Sequence, residues 1–306
     1  MTDFLVIGEC VADIVRVPGL PDAAHPGGSP ANVAYGLARL GRPTALLTQL
    51  GADREGELIG SHLRSAGVEL LTDEQPGIRT PTAVVTLDAK GQAAYDFDIG
   101  WTLGPVRPPA GVRHVHLGSI GAVTVPGADA ALAVTEALRP DATVSYDPNI
   151  RPALLGERER AVARVERCVA LADLVKASDE DLAWLYPGEP VRSVAARWLA
   201  LGPATVFVTL GGDGALAYTR TQEVKGAPVR TEVADTVGAG DAFMSAALDA
   251  LADLGLLGAG ARPALAALHD VTLAGVLRHA STAASLTVSR PGANPPDTAE
   301  LRAALD

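Results

Sequence analysis

The sequence predicts an α/β fold: a mostly parallel central β-sheet crossed by helices, in a single domain over residues 1–306. Three observations carry this expectation. Short apolar runs recur along the chain, each ending in glycine or a polar residue, the pattern of buried strands whose C-terminal ends open into a site. Helical segments alternate with those runs, which argues for parallel strands joined by crossover helices and for ligands outside the strand ends. The composition, 48% hydrophobic over 306 residues, supplies one large core, since α/β units reach this length undivided.

Charge and composition exclude several classes. No apolar run approaches the ~20 residues of a membrane helix, and no basic leader precedes Phe4-Leu5-Val6-Ile7, so the expectation is a soluble, cytoplasmic protein with no membrane partner. A formal charge of −11 with only three lysines, Lys90, Lys176 and Lys225, argues against nucleic-acid binding, which needs clustered cations. No G-x-x-x-x-G-K-[ST] occurs, which removes a Walker-type nucleotide site and leaves phosphate charge to backbone amides, arginines and a divalent ion. Cys10 and Cys168 are too few for a disulfide framework or a four-cysteine zinc site and read as small buried hydrophobes.

In chain order, Phe4-Leu5-Val6-Ile7-Gly8 is the first buried strand. Asp13 follows among apolar neighbours, as the outward position of an edge strand or as a ligand group. Residues 18–25 read as loop. Gly27-Gly28-Ser29-Pro30 then makes a tight turn, with a capping hydroxyl at Ser29 and a proline suited to the first helical position. It opens a helix over 30–40 that Gly41 closes, with Asn32 in its first turn as an auxiliary cap or a ligand group. Residues 44–50 repeat the strand and 55–66 the helix.

That beat breaks over 80–103, where residues 83–87 and 92–97 flank Asp88-Ala89-Lys90-Gly91 and read as a β-hairpin. With the strand over 11–17 it makes a small second sheet. Tyr95 and Phe97 share one hairpin face; with Trp101 they either close over a ligand or pack against a second subunit. Residues 112–117 resume the main sheet, and His114 and His116, lacking a third ligand, read as structural. Asp147-Pro148-Asn149-Ile150-Arg151 follows the strand at 143–146, as a proline turn or as polar groups facing a ligand. The strand at 173–176 runs into the acidic helix start Ala177-Ser178-Asp179-Glu180-Asp181. The strand at 205–210 opens into Gly211-Gly212-Asp213-Gly214, a hairpin turn on its residues alone.

The organising stretch is Asp235-Thr236-Val237-Gly238-Ala239-Gly240-Asp241-Ala242-Phe243, a glycine turn entering a helix over 239–253. Unpaired N–H groups and the positive helix end favour an anion there, and the glycines let it approach. Asp241 at this phosphate seat is either an N-terminal capping residue or the base that orients a hydroxyl toward a phosphate.

This string resembles the C-terminal signature of the ribokinase, or PfkB, family of carbohydrate kinases, and Gly27-Gly28-Ser29-Pro30-Ala31-Asn32-Val33-Ala34 matches a second family signature. The resemblance runs from Phe4 to about Ala293. It implies a ribokinase-like three-layer α/β/α fold whose small β-sheet, built from about 10–18 and 80–103, is a lid over the sugar and the surface of a homodimer. It implies that Asp13, Gly27, Gly28 and Asn32 hold the sugar, that Arg151 meets a ligand anion, and that Asp241 is the catalytic base beside the amides of Gly238, Ala239 and Gly240. Lys176, Ser178, Thr209, Gly211, Gly212 and Gly214, with Gly238 and Gly240, are the implied ATP contacts. Ser178 and Asp181 stand where the family has Asn-x-x-Glu, so Asp181 is expected to reach Mg2+ through water. Asp235 and the loop at 289–294 resemble a segment that holds a monovalent cation such as K+.

Asp-Pro-Asn-x-Arg at 147–151 looks like the matching segment of bacterial fructokinases and 2-keto-3-deoxygluconate kinases. The expected activity is transfer of the ATP γ-phosphoryl group to a primary sugar hydroxyl. Fructose is preferred over 2-keto-3-deoxygluconate and ribose. A sugar-binding regulator that lost turnover is the reading from another class, against which Gly238-Ala239-Gly240-Asp241 counts, since a pure binding protein has no need of that acid. A dinucleotide oxidoreductase is disfavoured because the first strand lacks G-x-G-x-x-G.

Overall fold

The computed structural model describes residues 2–17, 19–72, 77–87 and 93–306. Its strands are β1 (Phe4–Ile7), β2 (Val11–Arg16), β3 (Ala23–Gly27), β4 (Thr44–Thr48), β5 (Glu69–Thr72), β6 (Thr82–Leu87), β7 (Ala93–Asp98), β8 (His114–Gly118), β9 (Thr143–Asp147), β10 (Leu174–Ser178), β11 (Thr205–Thr209), β12 (Ala215–Tyr218) and β13 (Glu223–Gly226). Its helices are α1 (Ser29–Arg39), α2 (Arg54–Ser65), α3 (Gly127–Leu138), α4 (Pro152–Leu155), α5 (Arg158–Leu171), α6 (Asp179–Leu185), α7 (Val191–Leu201), α8 (Ala239–Asp253), α9 (Arg262–Ala266), α10 (Asp270–Val288) and α11 (Thr298–Leu305).

The first strand shows why the apolar runs are continuous. Successive side chains of β1 point to opposite faces, and both faces are covered: Phe4 and Val6 enter one core, Leu5 and Ile7 the other. Residues of α3, α5, α6 and α7 complete the second core, and residues of α1, α2, α8, α10 and α11 the first. Leu5, Ile7, Leu46 and Leu47 are almost wholly buried, each worth about 1.5–3 kcal/mol relative to exposure.

The main sheet has nine strands in the order β13-β12-β11-β10-β9-β8-β1-β4-β5. From β5 to β11 all neighbours are parallel, and β12 and β13 add an antiparallel edge. The chain leaves β1 toward β4 and β5, then returns to β8 on the other side of β1 and proceeds outward to β11. The direction of winding reverses between β1 and β8, which opens a crevice outside their C-terminal ends.

The small sheet has the order β3-β2-β6-β7, with β2 parallel to β6 and the other pairs antiparallel. It includes residues 23–27, where the sequence suggests loop. Ala23-Ala24-His25-Pro26-Gly27 contains no β-branched residue and no Phe, Tyr or Trp to mark a strand; the free edge of β2 recruits it, and an edge tolerates Pro26. The hairpin turn at 88–92 and the side chain of Tyr95 lie outside the described residues. Phe97 is part-exposed at 37%. Trp101 belongs to the core rather than to the small sheet: it is buried against Gly127, where a Cβ would come within 2.5 Å of the indole Cδ1.

His114 pairs with Thr143 Oγ1 and Ser145 Oγ, and His116 with the same Ser145 Oγ, each at 2.8 Å. Burial pushes both imidazoles down to about 3, so they are neutral structural groups. Among the described residues no three His, Cys, Asp or Glu side chains gather as a metal cage, and no helix is long and apolar enough to cross a membrane.

Candidate active site

Two glycine turns meet at the crevice. Gly28, at φ 98°, caps α1 with its backbone, a left-handed conformation that glycine holds at least cost, and a Cβ on it would lie 2.7 Å from the Glu9 carbonyl. Ser29 therefore does not cap the helix, as the sequence suggests it should. It occupies the first helical position, and its Oγ donates to Asp241 Oδ1 at 2.6 Å. Asn32 Nδ2 donates to Asp241 Oδ2 at 2.8 Å. Two side chains of α1 thus hold both oxygens of an α8 carboxylate.

Asp241 lies in the first turn of α8, behind the left-handed N-cap Gly238 at φ 76°. Among the described residues the N–H groups of Gly240 and Asp241 have no backbone acceptor, so the helix tip presents donors to an anion. Lys176, in the middle of β10, packs directly beneath: a Cβ on Gly240 would lie 2.9 Å from its Nζ. The ammonium bonds Asp147 Oδ2 at 2.8 Å, with the side chains 4% and 0% exposed. Burial works against the charged lysine, but the carboxylates of Asp147, Asp181 and Asp241 outweigh it and hold its pKa above the ordinary value.

A polar chain continues along the strand tips. Asp147 Oδ1 accepts from Asn149 N at 3.2 Å, and Asn149 Nδ2 approaches Ser119 Oγ at 3.4 Å. Both Asn149 and Ser119 carry positive φ, 37° and 57°, the strained backbone that collects at functional sites. Across the reversal between β1 and β8, Glu9 Oε2 accepts from Gly121 N at 2.8 Å. Burial raises Glu9 to about 7, with hydrogen bonds from Ser119 and Gly121 pulling the other way and the Asp241 charge adding to the rise. Sequence reasoning missed Ser29 and Glu9 as site residues. An acid directly after a buried strand was the one signal available for Glu9.

Asp13 faces the same turn, its Oδ2 only 2.1 Å from where a Cβ on Gly27 would stand. Burial raises it to about 6, opposed by His25 and Arg151. Arg151 is itself exposed, its Nη1 donating to the Ile150 carbonyl at 3.0 Å.

Asp181 takes Ile150 N at 2.7 Å on one oxygen and Ser178 N at 2.8 Å on the other, while Ser178 Oγ accepts from Asp181 N at 3.0 Å. This reciprocal cap ties the start of α6 to the segment after β9. Beyond it, Thr209 ends β11 and the turn with Gly211 and Gly214 at φ 53° and 95° leads into β12. A Cβ on Gly211 or Gly212 would meet nothing, whereas one on Gly214 would lie 2.5 Å from the Gly226 carbonyl. Asp235 accepts from Val237 N at 3.0 Å and Gly292 N at 2.9 Å, bonds that lower its pKa and join the two loops. The fold therefore sets Asp13 against Gly27, joins Ser29 and Asn32 of the same turn to Asp241, and packs Lys176 beneath Gly240, while the turn at 211–214 follows β11, the neighbour of β10.

A carboxylate at a helix-tip anion seat, outside the C-terminal ends of a parallel sheet, is the equipment of an enzyme that sets an alcohol against a phosphate. The chain belongs to the pfkB family of carbohydrate kinases, whose family model matches residues 1–300. A fructokinase of Klebsiella pneumoniae is 35% identical over 266 residues, covering 82% of this chain and 85% of its own. One of Rhizobium leguminosarum bv. trifolii is 34% identical over 239 residues, covering 75% and 72%. Among solved structures, a Xylella fastidiosa fructokinase with bound ATP superposes with a TM-score of 0.83 at 27% identity, over 100% of this chain and 98% of that one. A Vibrio cholerae O395 fructokinase holding fructose, ADP and calcium gives 0.79 at 28%, over 100% and 99%. The fold is ribokinase-like and the protein is a sugar kinase, a phosphotransferase with an alcohol acceptor.

Proposed function

We propose that this kinase transfers the γ-phosphoryl group of ATP to the primary hydroxyl of fructose. The observation that carries the reading is the Asp241 carboxylate, held by Ser29 and Asn32 at 2.6 and 2.8 Å from the opposite glycine turn. The fructokinase names among its relatives support the choice of sugar. In this reading Asp13, Gly27, Gly28 and Asn32 hold the sugar, and Arg151 meets anionic charge at its rim. Asp241 orients the hydroxyl and takes its proton late. The amides around Gly238, Ala239 and Gly240 meet the transferring group. Lys176, Ser178, Thr209, Gly211, Gly212 and Gly214 contact ATP. Phosphoryl transfer has a loose transition state, so positioning and electrostatics do most of the work.

Mg2+ is the expected divalent partner. It typically keeps several waters and rides on substrate phosphates with one or two carboxylates, which agrees with a donor set lacking a protein cage among the described residues. Asp181 uses two of its roughly four acceptor sites on backbone N–H groups and keeps the others for metal-bound water. When bound, the ion neutralises charge on the β- and γ-phosphates. The Asp235 loop is the proposed monovalent-cation seat, the four-stranded sheet the proposed lid and homodimer surface, and the cytoplasm the proposed compartment. A coupled ADP-release assay over fructose, ribose, 2-keto-3-deoxygluconate and nucleosides tests the assignment. Fructose is expected to give the highest kcat/KM; a clear preference for another acceptor overturns fructose, and no sugar-dependent ADP release overturns the kinase reading of the site.

A further inference from the structure

We infer that His25 is a specificity-determining residue of the sugar pocket, its ring nitrogen meeting the hydroxyl next to the one that Asp13 takes. This contact presupposes the sugar-kinase reading above and deepens it by naming the arrangement of hydroxyls that the pocket selects.

Register places the two side chains together. β2 and β3 are antiparallel with Asp13 directly opposite His25, and such partners stand on one face with Cβ atoms about 4.5–5.5 Å apart. Ala12 and Ile14, the neighbours of Asp13 along β2, turn the other way, against the core. Gly27 lies two residues beyond His25 on β3, so a side chain there would share the His25 face; its Cβ would stand 2.1 Å from Asp13 Oδ2. His25, Asp13 and the bare backbone of Gly27 therefore form one surface. Across the sheet the same row runs from Asp13 to Ala83 and from Ala83 to Phe97. Apolar side chains border Asp13 on that flank, and His25 is its polar neighbour on the other.

Hydrogen-bonding capacity fits a diol. Among the described residues no hydrogen bond reaches the Asp13 carboxylate or either ring nitrogen of His25. An ionised carboxylate only accepts, whereas a neutral imidazole offers one donor and one acceptor. Two adjacent hydroxyls satisfy such a pair: one donates to Asp13, and the next meets the ring nitrogen that faces it. Electrostatics agree, for burial raises the Asp13 carboxyl and His25 opposes that rise ahead of Arg151.

Nothing structural calls for an imidazole at this position. His25 is exposed on an edge strand, and the rest of that strand, Ala23, Ala24, Pro26 and Gly27, carries no polar side chain. The ring fills no core, so replacing it leaves the fold intact and its effect is read at the sugar.

Native protein is to be compared with His25→Ala and with His25→Phe, which keeps a ring and removes its nitrogens. Thermal unfolding checks the fold, and calorimetry and turnover are measured with fructose and its epimers at C3, C4 and C5. Both variants are expected to bind fructose about 3–10-fold more weakly, KM rising in step and kcat staying within about 3-fold of native. The preference for fructose over at least one epimer, as a ratio of kcat/KM values, should fall by about the same factor. Native-like fructose affinity and epimer ratios in either variant overturn the inference, and so does a loss of kcat with KM unchanged. Should native protein bind sugar without releasing ADP, phosphotransfer is the reading that fails, and the binding comparison still decides His25. Should it prefer another acceptor, fructose is overturned and the same variants are compared on that sugar and its epimers. Absence of any sugar binding by native protein overturns both readings.

Discussion

Gly27→Ala isolates the sugar pocket by sterics alone. A methyl carbon on Gly27 would stand 2.1 Å from Asp13 Oδ2, 2.9 Å from its Cγ and 3.2 Å from the Val11 carbonyl. An ordinary C···O approach is ~3.3 Å, so the Asp13 carboxylate must withdraw by about 1 Å while the backbone barely responds. Gly27 is outside the positive-φ set, so alanine adds no conformational strain there, and the conflict falls on the tip of one side chain. A carboxylate displaced this far forfeits its hydrogen bond to a sugar hydroxyl. Bonds to charged groups contribute about 1.5–3 kcal/mol net, which is about 10–150-fold in affinity. Calorimetric titration with fructose is expected to show that loss, with KM rising in step and kcat within about 3-fold of native because Ser29, Asn32 and Asp241 are untouched. Thermal unfolding should be nearly native. A folded variant that binds fructose within about 2-fold of native refutes the assignment of Asp13 to the pocket.

Three further outcomes follow from the same geometry. Asp241→Asn is expected to lower kcat by about 10²–10⁴-fold with sugar affinity little changed; near-normal turnover in purified, folded protein removes Asp241 from the mechanism. Ser29→Ala deletes the 2.6 Å hydrogen bond to Asp241 and should lower kcat by about 10-fold while leaving the sugar dissociation constant alone; a change confined to KM contradicts its role. Two carboxyls raised by burial set a pH dependence, the buried Glu9 near 7 and the half-buried Asp13 near 6 against ordinary values of 4.5 and 3.8. Between those values the folded chain keeps protons that the unfolded chain has released, so these groups make stability decline as pH rises from about 4 to about 7. The Tm difference between about pH 5 and about pH 8 should therefore shift in Glu9→Gln toward relatively higher stability at the alkaline end, and an identical pH profile in the variant contradicts a buried, proton-holding Glu9.

Much of this molecule is local. Phe4-Leu5-Val6-Ile7 reads as a strand because a strand buried on both faces must be apolar throughout. The tip of α8 is legible because a glycine at φ 76°, an unpaired run of amides and a helix-forming segment are all properties of neighbouring residues. Helix stops at Gly41 and Gly67 belong to the same class. Tertiary structure decided what such patterns leave out. Ala23–Gly27 is a strand only because β2 offers it an edge. Ser29 reads as a cap from its neighbours, yet Gly28 takes that position and frees the hydroxyl for a partner 212 residues away. Lys176 and Asp147, 29 residues apart, and Glu9 and Gly121, 112 residues apart, become pairs because strand order sets them side by side. Periodicity records whether a side chain is buried; which group it meets there depends on how the strands are ordered around β1, and that order is a property of the assembled sheet.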